Sequence, residues 1–244
     1  MTLPAQISDR ILESVLAEKL PAGSRLGEKE LAALFSCSRT LVREALIRLA
    51  ARGIVEVSAR RGWYLVEPSR EQAREAFEAR YVIETGLLRT ANRIDERGMK
   101  RLRAHIEQQR GALDGQNAGL RSFLLGDFHV CLAGALGNRL LAETIRDLTV
   151  RTTLAAMNHQ SDEEAVRSFS EHAGIVTALE AGDPIEAERR MAAHLGSWEA
   201  KLQIPEEPDP LAQLREALAP VEQSARILRT RLTAKKRKEA GSFP

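Results

Sequence analysis

The chain has 244 residues, 43% of them hydrophobic and 29% charged, and its 36 Lys and Arg against 34 Asp and Glu leave a formal net charge of +2. So even a balance excludes a general polyanion binder, and affinity for nucleic acid has to come from a local patch such as the ten basic against seven acidic residues within positions 1–66. No signal peptide and no apolar run of about 18 residues is present, and Cys37 and Cys131 lack metal or redox spacing, so a cytoplasmic protein in a reducing compartment with no membrane partner is expected.

The length suits a domain of about 65 residues followed by one of about 140. In the first, Leu31, Ala32, Leu41, Val42 and Leu46 fall at helical spacing on two short segments separated by a polar break, which is how two helices share one small core. Ser38 is placed to cap the second helix, and Arg39, Thr40 and Arg43 project from its N-terminal end, the end a helix-turn-helix inserts into the major groove. Arginine suits that place because its planar fork takes guanine O6 and N7 together, or a phosphate. After Gly53, residues 54–57 and 63–66 predict two short strands around 58–62, a β-hairpin wing with a basic tip.

These residues carry a resemblance. Gly23-Ser24-Arg25-Leu26, Glu28, Leu31-Ala32, Ser38-Arg39-Thr40, Val42-Arg43-Glu44-Ala45-Leu46, Leu49, Gly53 and Arg61-Gly62 resemble the winged-helix domain of the GntR family of bacterial transcription regulators over residues 5–66. The resemblance implies DNA contacts by Lys29, Ser38, Arg39, Thr40, Arg43, Arg61 and Gly62. Leu41 stands where the family commonly has proline, a change that leaves the helix possible.

Beyond Glu67-Pro68 the period is helical almost throughout. Ser69 with Gln72 and Ser161 with Glu164 are capping-box patterns, and Gly182-Asp183-Pro184 followed by Glu186 is a stop-and-restart signal. The expectation is a mainly α protein: winged helix-turn-helix over 1–67, an all-α bundle over 68–204, and a linker with a basic C-terminal helix or tail over 205–244. The bundle is read as about six helices, near 69–95, 98–113, 119–136, 138–158, 161–181 and 184–202.

Chemistry sits on stripes that should otherwise be apolar. His129 shares a stripe with Leu125, Phe128 and Leu132, His172 with Phe169, Val176 and Leu179, and His194 with Ala187, Met191 and Leu195. A histidine on an apolar face is usually a hydrogen-bonded core residue, but three neutral imidazoles on three helices are also a way to hold zinc or a similar ion. Arg80 and Glu84 share the inward stripe of the first bundle helix, as a structural pair or with Arg80 as a fork for a ligand carboxylate. Arg146 and Arg151 are further effector-binding candidates; His105 and His159 lie off the stripes.

The resemblance continues here. Phe128-His129, Gly137-Asn138, Glu171-His172 and Gly182-Asp183 leading to Ala192-Ala193-His194-Leu195 are similar to the FCD ligand-binding domain of the FadR subfamily, in its six-helix, VanR-like branch. Metal-binding members of that class use an aspartate one turn before the first histidine. His129, His172 and His194 match the histidine positions, but Leu125 holds the aspartate position, and Asp127 lies about 200° around the helix from His129. The resemblance implies a homodimer on a palindromic duplex operator, a small carboxylate effector, and a divalent metal, zinc before nickel or manganese. Open beside it stand a metal-free pocket, in which the histidines bond the effector or a larger ligand such as an acyl thioester is held, and a metal-dependent enzyme, with Glu84 the only inward carboxylate near the histidines.

After the Pro205–Pro210 linker, Leu211, Leu214, Leu218, Val221, Ala225, Leu228 and Leu232 form a heptad-like stripe interrupted by Pro220. From Arg226 to Lys238 there are seven basic residues and no acidic one, a solvated tail or a non-specific phosphate contact.

Overall fold

The computed structural model describes residues 2–58, 62–90, 94–156, 161–197 and 218. Helix α1 (Leu3–Leu16) opens the chain, with Pro4 in its first turn and Ile7, Ile11, Leu12 and Val15 buried at helical spacing. Two-residue strand β1 (Arg25–Leu26), helix α2 (Glu28–Leu34) and helix α3 (Arg39–Ala51) follow. The Ser38 side chain accepts from the Leu41 amide at 3.4 Å and caps α3 as the sequence predicts. Strands β2 (Val55–Ser58) and β3 (Gly62–Leu65) pair antiparallel with Val55 opposite Leu65 and Ser58 opposite Gly62.

The predicted hairpin forms as β2 and β3, and β1 adds a third strand, giving a sheet in the order β1-β3-β2. Arg25 pairs with Tyr64 and Leu26 with Trp63; a strand of two residues carries no period-2 signal to read. Gly53, at φ 64, ends α3 in the left-handed conformation that favours glycine, with the Arg151 guanidinium packed beside it.

Six helices make the bundle: α4 (Arg70–Arg89), α5 (Glu96–Leu113), α6 (Ala118–Ala135), α7 (Arg139–Ala156), α8 (Asp162–Glu180) and α9 (Pro184–Gly196). Both predicted capping boxes form, Ser69 with Gln72 and Ser161 with Glu164, and Asp183 caps α9 through the Glu186 amide at 2.9 Å. α4 ends at Arg89, six residues short of the expected boundary, because the Thr90 hydroxyl bonds back to Gly86 O at 2.8 Å and Asp95 starts the next helix as its N-cap. The heptad stripe and basic tail, apart from Leu218, and also Arg61, Ala91, His159 and Trp198, lie outside the described residues.

Head and bundle fall in one compact unit, residues 1–204. Val150 and Leu154 of α7 are part of the head's own buried cluster, with Ile7, Ile11, Val15, Leu46 and Leu49. The Arg52 Nε donates to both Asp147 carboxylate oxygens at 3.0 and 2.9 Å, and Arg151 Nη2 donates to the Arg52 carbonyl at 2.6 Å. The N-terminal head, α1 to β3, is therefore seated on α7 by apolar contact and a partly buried ion pair.

Candidate functional site

The exposed face of the head is built on α3. Arg39 and Arg43 keep 65% and 55% of their side chains accessible, and Ser38, Thr40, Lys29 and Gly62 are exposed beside them. Sequence reasoning missed the residue that arranges them. Glu28 accepts from Arg43 Nε at 2.9 Å and Nη2 at 2.8 Å, from Arg39 Nη2 at 3.0 Å and from the Trp63 indole at 3.1 Å. Hydrogen bonds from Arg43 first, then Trp63 and Arg39, hold its carboxyl down at about 2. Its signal was one of two acidic residues in the first turn of α2, Glu28 and Glu30, which read equally as ordinary first-turn carboxylates.

The three histidines of the bundle converge. His172 Nε2 lies 3.2 Å from His194 Nε2, which lies 3.4 Å from His129 Nε2, and all three rings are buried. Every Nδ1 faces an acceptor: Glu84 Oε2 for His129 at 2.5 Å, Gln109 Oε1 for His172 at 3.1 Å, and Glu171 Oε2 for His194 at 2.5 Å. A proton on each Nδ1 makes these bonds and leaves each Nε2 lone pair turned toward the other two. Phe128 stacks on the His172 ring at 4.0 Å between centroids, fixing its plane.

Burial pushes His129 down to about 3, against the opposing pull of Glu84, so its ring is neutral. Burial works against the charge on Glu84, but the flanking His129 and Arg80 outweigh it and hold the carboxyl at about 2. Both folded values lie below the unfolded ones, near 6.5 and 4.5, so the unfolded chain takes up protons first as pH falls. Chelator-treated protein is accordingly expected to lose thermal stability as pH drops from about 6.5 toward 3. Melting curves at pH 7, 6 and 5 check this, and a midpoint unchanged across them would contradict it.

A cavity of about 140 Å³ opens beside the cluster, lined by the three histidines, Arg80, Leu125, Thr149 and Thr152 among others. Arg80 Nε donates to Glu84 Oε1 at 2.9 Å and Nη1 to Thr152 Oγ1 at 3.0 Å, while its buried Nη2 has no hydrogen-bond partner among the described residues. Arg80 is thus paired with Glu84, as one of its two expected readings has it, and it also lines the cavity. Glu84 is absorbed by Arg80 and His129 and does not line the cavity, which corrects its expected place as an effector ligand.

Arg146 and Arg151 also need correction, because neither lines the cavity. Arg146 lies 3.5 Å from Asp9 of α1, and Arg151 is engaged with the Arg52 carbonyl, so both belong to the head–bundle junction. Leu125 does line the cavity, on the turn of α6 before His129. His105, unassigned from sequence, is a core residue bonded to the Leu124 carbonyl at 3.1 Å.

Comparison with known proteins agrees with both halves of this description. The family model described as bacterial regulatory proteins, gntR family, matches residues 3–65, and that of the FCD domain matches residues 75–197. The chain is 32% identical to the HTH-type transcriptional repressor RspR of Escherichia coli, over 76% of this chain and 83% of that protein. It is 27% identical to a probable D-xylose utilization operon transcriptional repressor of Paenarthrobacter nicotinovorans, over 81% and 87%. Among solved structures, E. coli McbR/YncC superposes with a TM-score of 0.75 at 21% identity, covering 83% of this chain and 97% of that one, a likeness of fold.

Proposed function

This chain belongs to the GntR family of bacterial regulatory proteins and carries an FCD domain, and from that premise we propose that it is a cytoplasmic, homodimeric repressor released from a palindromic operator by a small carboxylate effector. It is a DNA-binding transcription regulator and not an enzyme. The observation that carries the effector reading is the buried Arg80 Nη2, a cationic donor without a protein partner, on a cavity it shares with three convergent imidazoles.

The donor set suits a divalent ion. Three imidazoles whose Nδ1 atoms are each anchored to a carboxylate or amide oxygen form the arrangement that orients ring nitrogens toward a metal. His129, His172 and His194 would hold it, with zinc first and nickel or manganese behind. With Leu125 in place of a carboxylate, the ion would keep its full charge and supply electrostatic attraction to an anion. The cavity volume, below the several hundred Å³ usual for drug-sized ligands, favours a small acid over an acyl thioester.

Release follows if the effector binds one placement of the heads better than another, since differential affinity alone sets the shift. Selection from a random duplex library is expected to return a sequence with two-fold symmetry. On that duplex, organic acids should weaken binding by the wild type and not by an Arg80→Gln variant. An asymmetric selected site would overturn the dimer, and an equal response from Arg80→Gln would remove Arg80 from effector recognition.

A further inference from the structure

The effector cavity is not walled by the bundle alone. Leu16 and Glu18, from the end of α1 in the DNA-binding head, line it together with Ser122 and Gly126 of α6. The fit is close: a Cβ on Gly126 would stand 3.3 Å from Leu16 Cδ2. Glu18 is hydrogen-bonded to Ser122 and faces the Arg121 guanidinium, and burial raises its carboxyl above the usual range.

The backbone at this point is unusual. α1 closes with the Lys19 amide on the Ser14 carbonyl at 2.9 Å and the Glu18 amide on the Val15 carbonyl at 2.8 Å, which places Glu18 at the left-handed position of the turn, φ 54. Glycine is the residue that takes this position at least cost, and it does so after α3, α6 and α8, at Gly53, Gly137 and Gly182. At the end of α1 the chain instead carries a long acidic side chain on a strained backbone, and that side chain reaches the cavity.

We infer that Glu18 of the DNA-binding head contacts the effector directly, accepting a hydrogen bond from a hydroxyl or ammonium group at the end of the ligand remote from the carboxylate held at Arg80 and the histidine cluster. The inference rests on the carboxylate reading above and adds the chemistry of the other end. A carboxylate accepts and does not donate, so beyond the bond it takes from Ser122 it has a free lone pair for a donor, gains nothing from an apolar terminus and repels a second carboxylate. Ser122 and His129 are seven residues apart on α6, about 10 Å along the axis, a separation of the order of an extended chain of four to six carbons with a polar group at each end. Ligand bridging bundle and head in this way favours the placement of the head that keeps Glu18 in the wall.

Three acids of one length test it: hexanoate, 6-hydroxyhexanoate and 6-aminohexanoate, titrated calorimetrically into the zinc-loaded full-length chain. The wild type is expected to bind the hydroxy and amino acids about tenfold or more tighter than hexanoate. Glu18→Gly should bring the three acids to comparable affinity, and raise the melting temperature of the ligand-free chain by about 2–4 °C as the backbone strain is relieved. A preference that survives in Glu18→Gly, with the rise in melting temperature showing the variant folded, overturns the role of Glu18 while leaving the carboxylate site standing. Failure of all three acids to bind the wild type overturns the carboxylate reading, and the inference with it.

Discussion

Replacing His172 by alanine is expected to take bound divalent metal from about one ion per chain to near zero in protein purified without chelator. The ring is fully buried, 3.2 Å from His194 through Nε2 and held by Gln109 at Nδ1 and by stacking on Phe128. Only two imidazoles would remain, and Leu125 on the neighbouring turn offers no replacement oxygen. Gln109→Ala, which removes the acceptor and leaves all three ligands, should instead weaken metal affinity by about 10–100-fold. His105→Asn, which changes a buried histidine outside the cluster, should retain the metal. Elemental analysis of the four proteins decides it: equal metal in wild type and His172→Ala, or none in either, would reduce the cluster to a hydrogen-bonded lining of the pocket. The same removal should weaken an acid bound at Arg80, because the ion's uncompensated charge is then missing from the cavity wall.

What the sequence discloses depends on whether the physics is local. Caps and stops are local, so the boxes at Ser69 and Ser161 and the restart at Pro184 fall where their residues predict. The three histidines were legible because each interrupts an apolar stripe, and stripes of one small bundle share one interior. Glu84 was visible for the same reason, but its two partners, Arg80 one turn away and His129 across the bundle, could not both be read from spacing. Gln109 had no pattern to announce it, and Glu171 stood in the family-like Glu171-His172 pair without its role as an acceptor being readable, since a polar residue on a helix reads as a solvated face until its neighbour is known. Arg146 and Arg151 failed as effector ligands for a related reason: the seating of the head on α7 is a tertiary choice, and it turns a plausible pocket stripe into a junction. Glu18 lay wholly beyond reach, because neither its left-handed backbone nor the intrusion of α1 into the cavity wall has a sequence signature.

At the DNA face, Arg43→Ala is expected to lower operator affinity at least as much as Arg39→Ala, each by about 1–3 kcal/mol, or about 5–150-fold, with far smaller losses on random duplex. The asymmetry comes from Glu28. Arg43 holds that carboxylate through two nitrogens, whereas Arg39 holds it through one, so Arg39 leaves the pair at lower cost when a base edge or phosphate competes. Deleting Arg43 removes a donor to DNA and also leaves Glu28 with less compensation, a negative charge beside the phosphates. Deleting Arg39 removes only the donor, because the bidentate contact persists. A Glu28→Gln change in the Arg43→Ala background should therefore recover part of the lost affinity, and in the Arg39→Ala background should recover little. Fluorescence anisotropy with operator and scrambled duplex at two salt concentrations measures both terms. Equal losses on operator and scrambled DNA would make these arginines phosphate contacts alone, and absence of any recovery in the Arg43→Ala, Glu28→Gln double variant would mean that Glu28 does not set the charge of the recognition face.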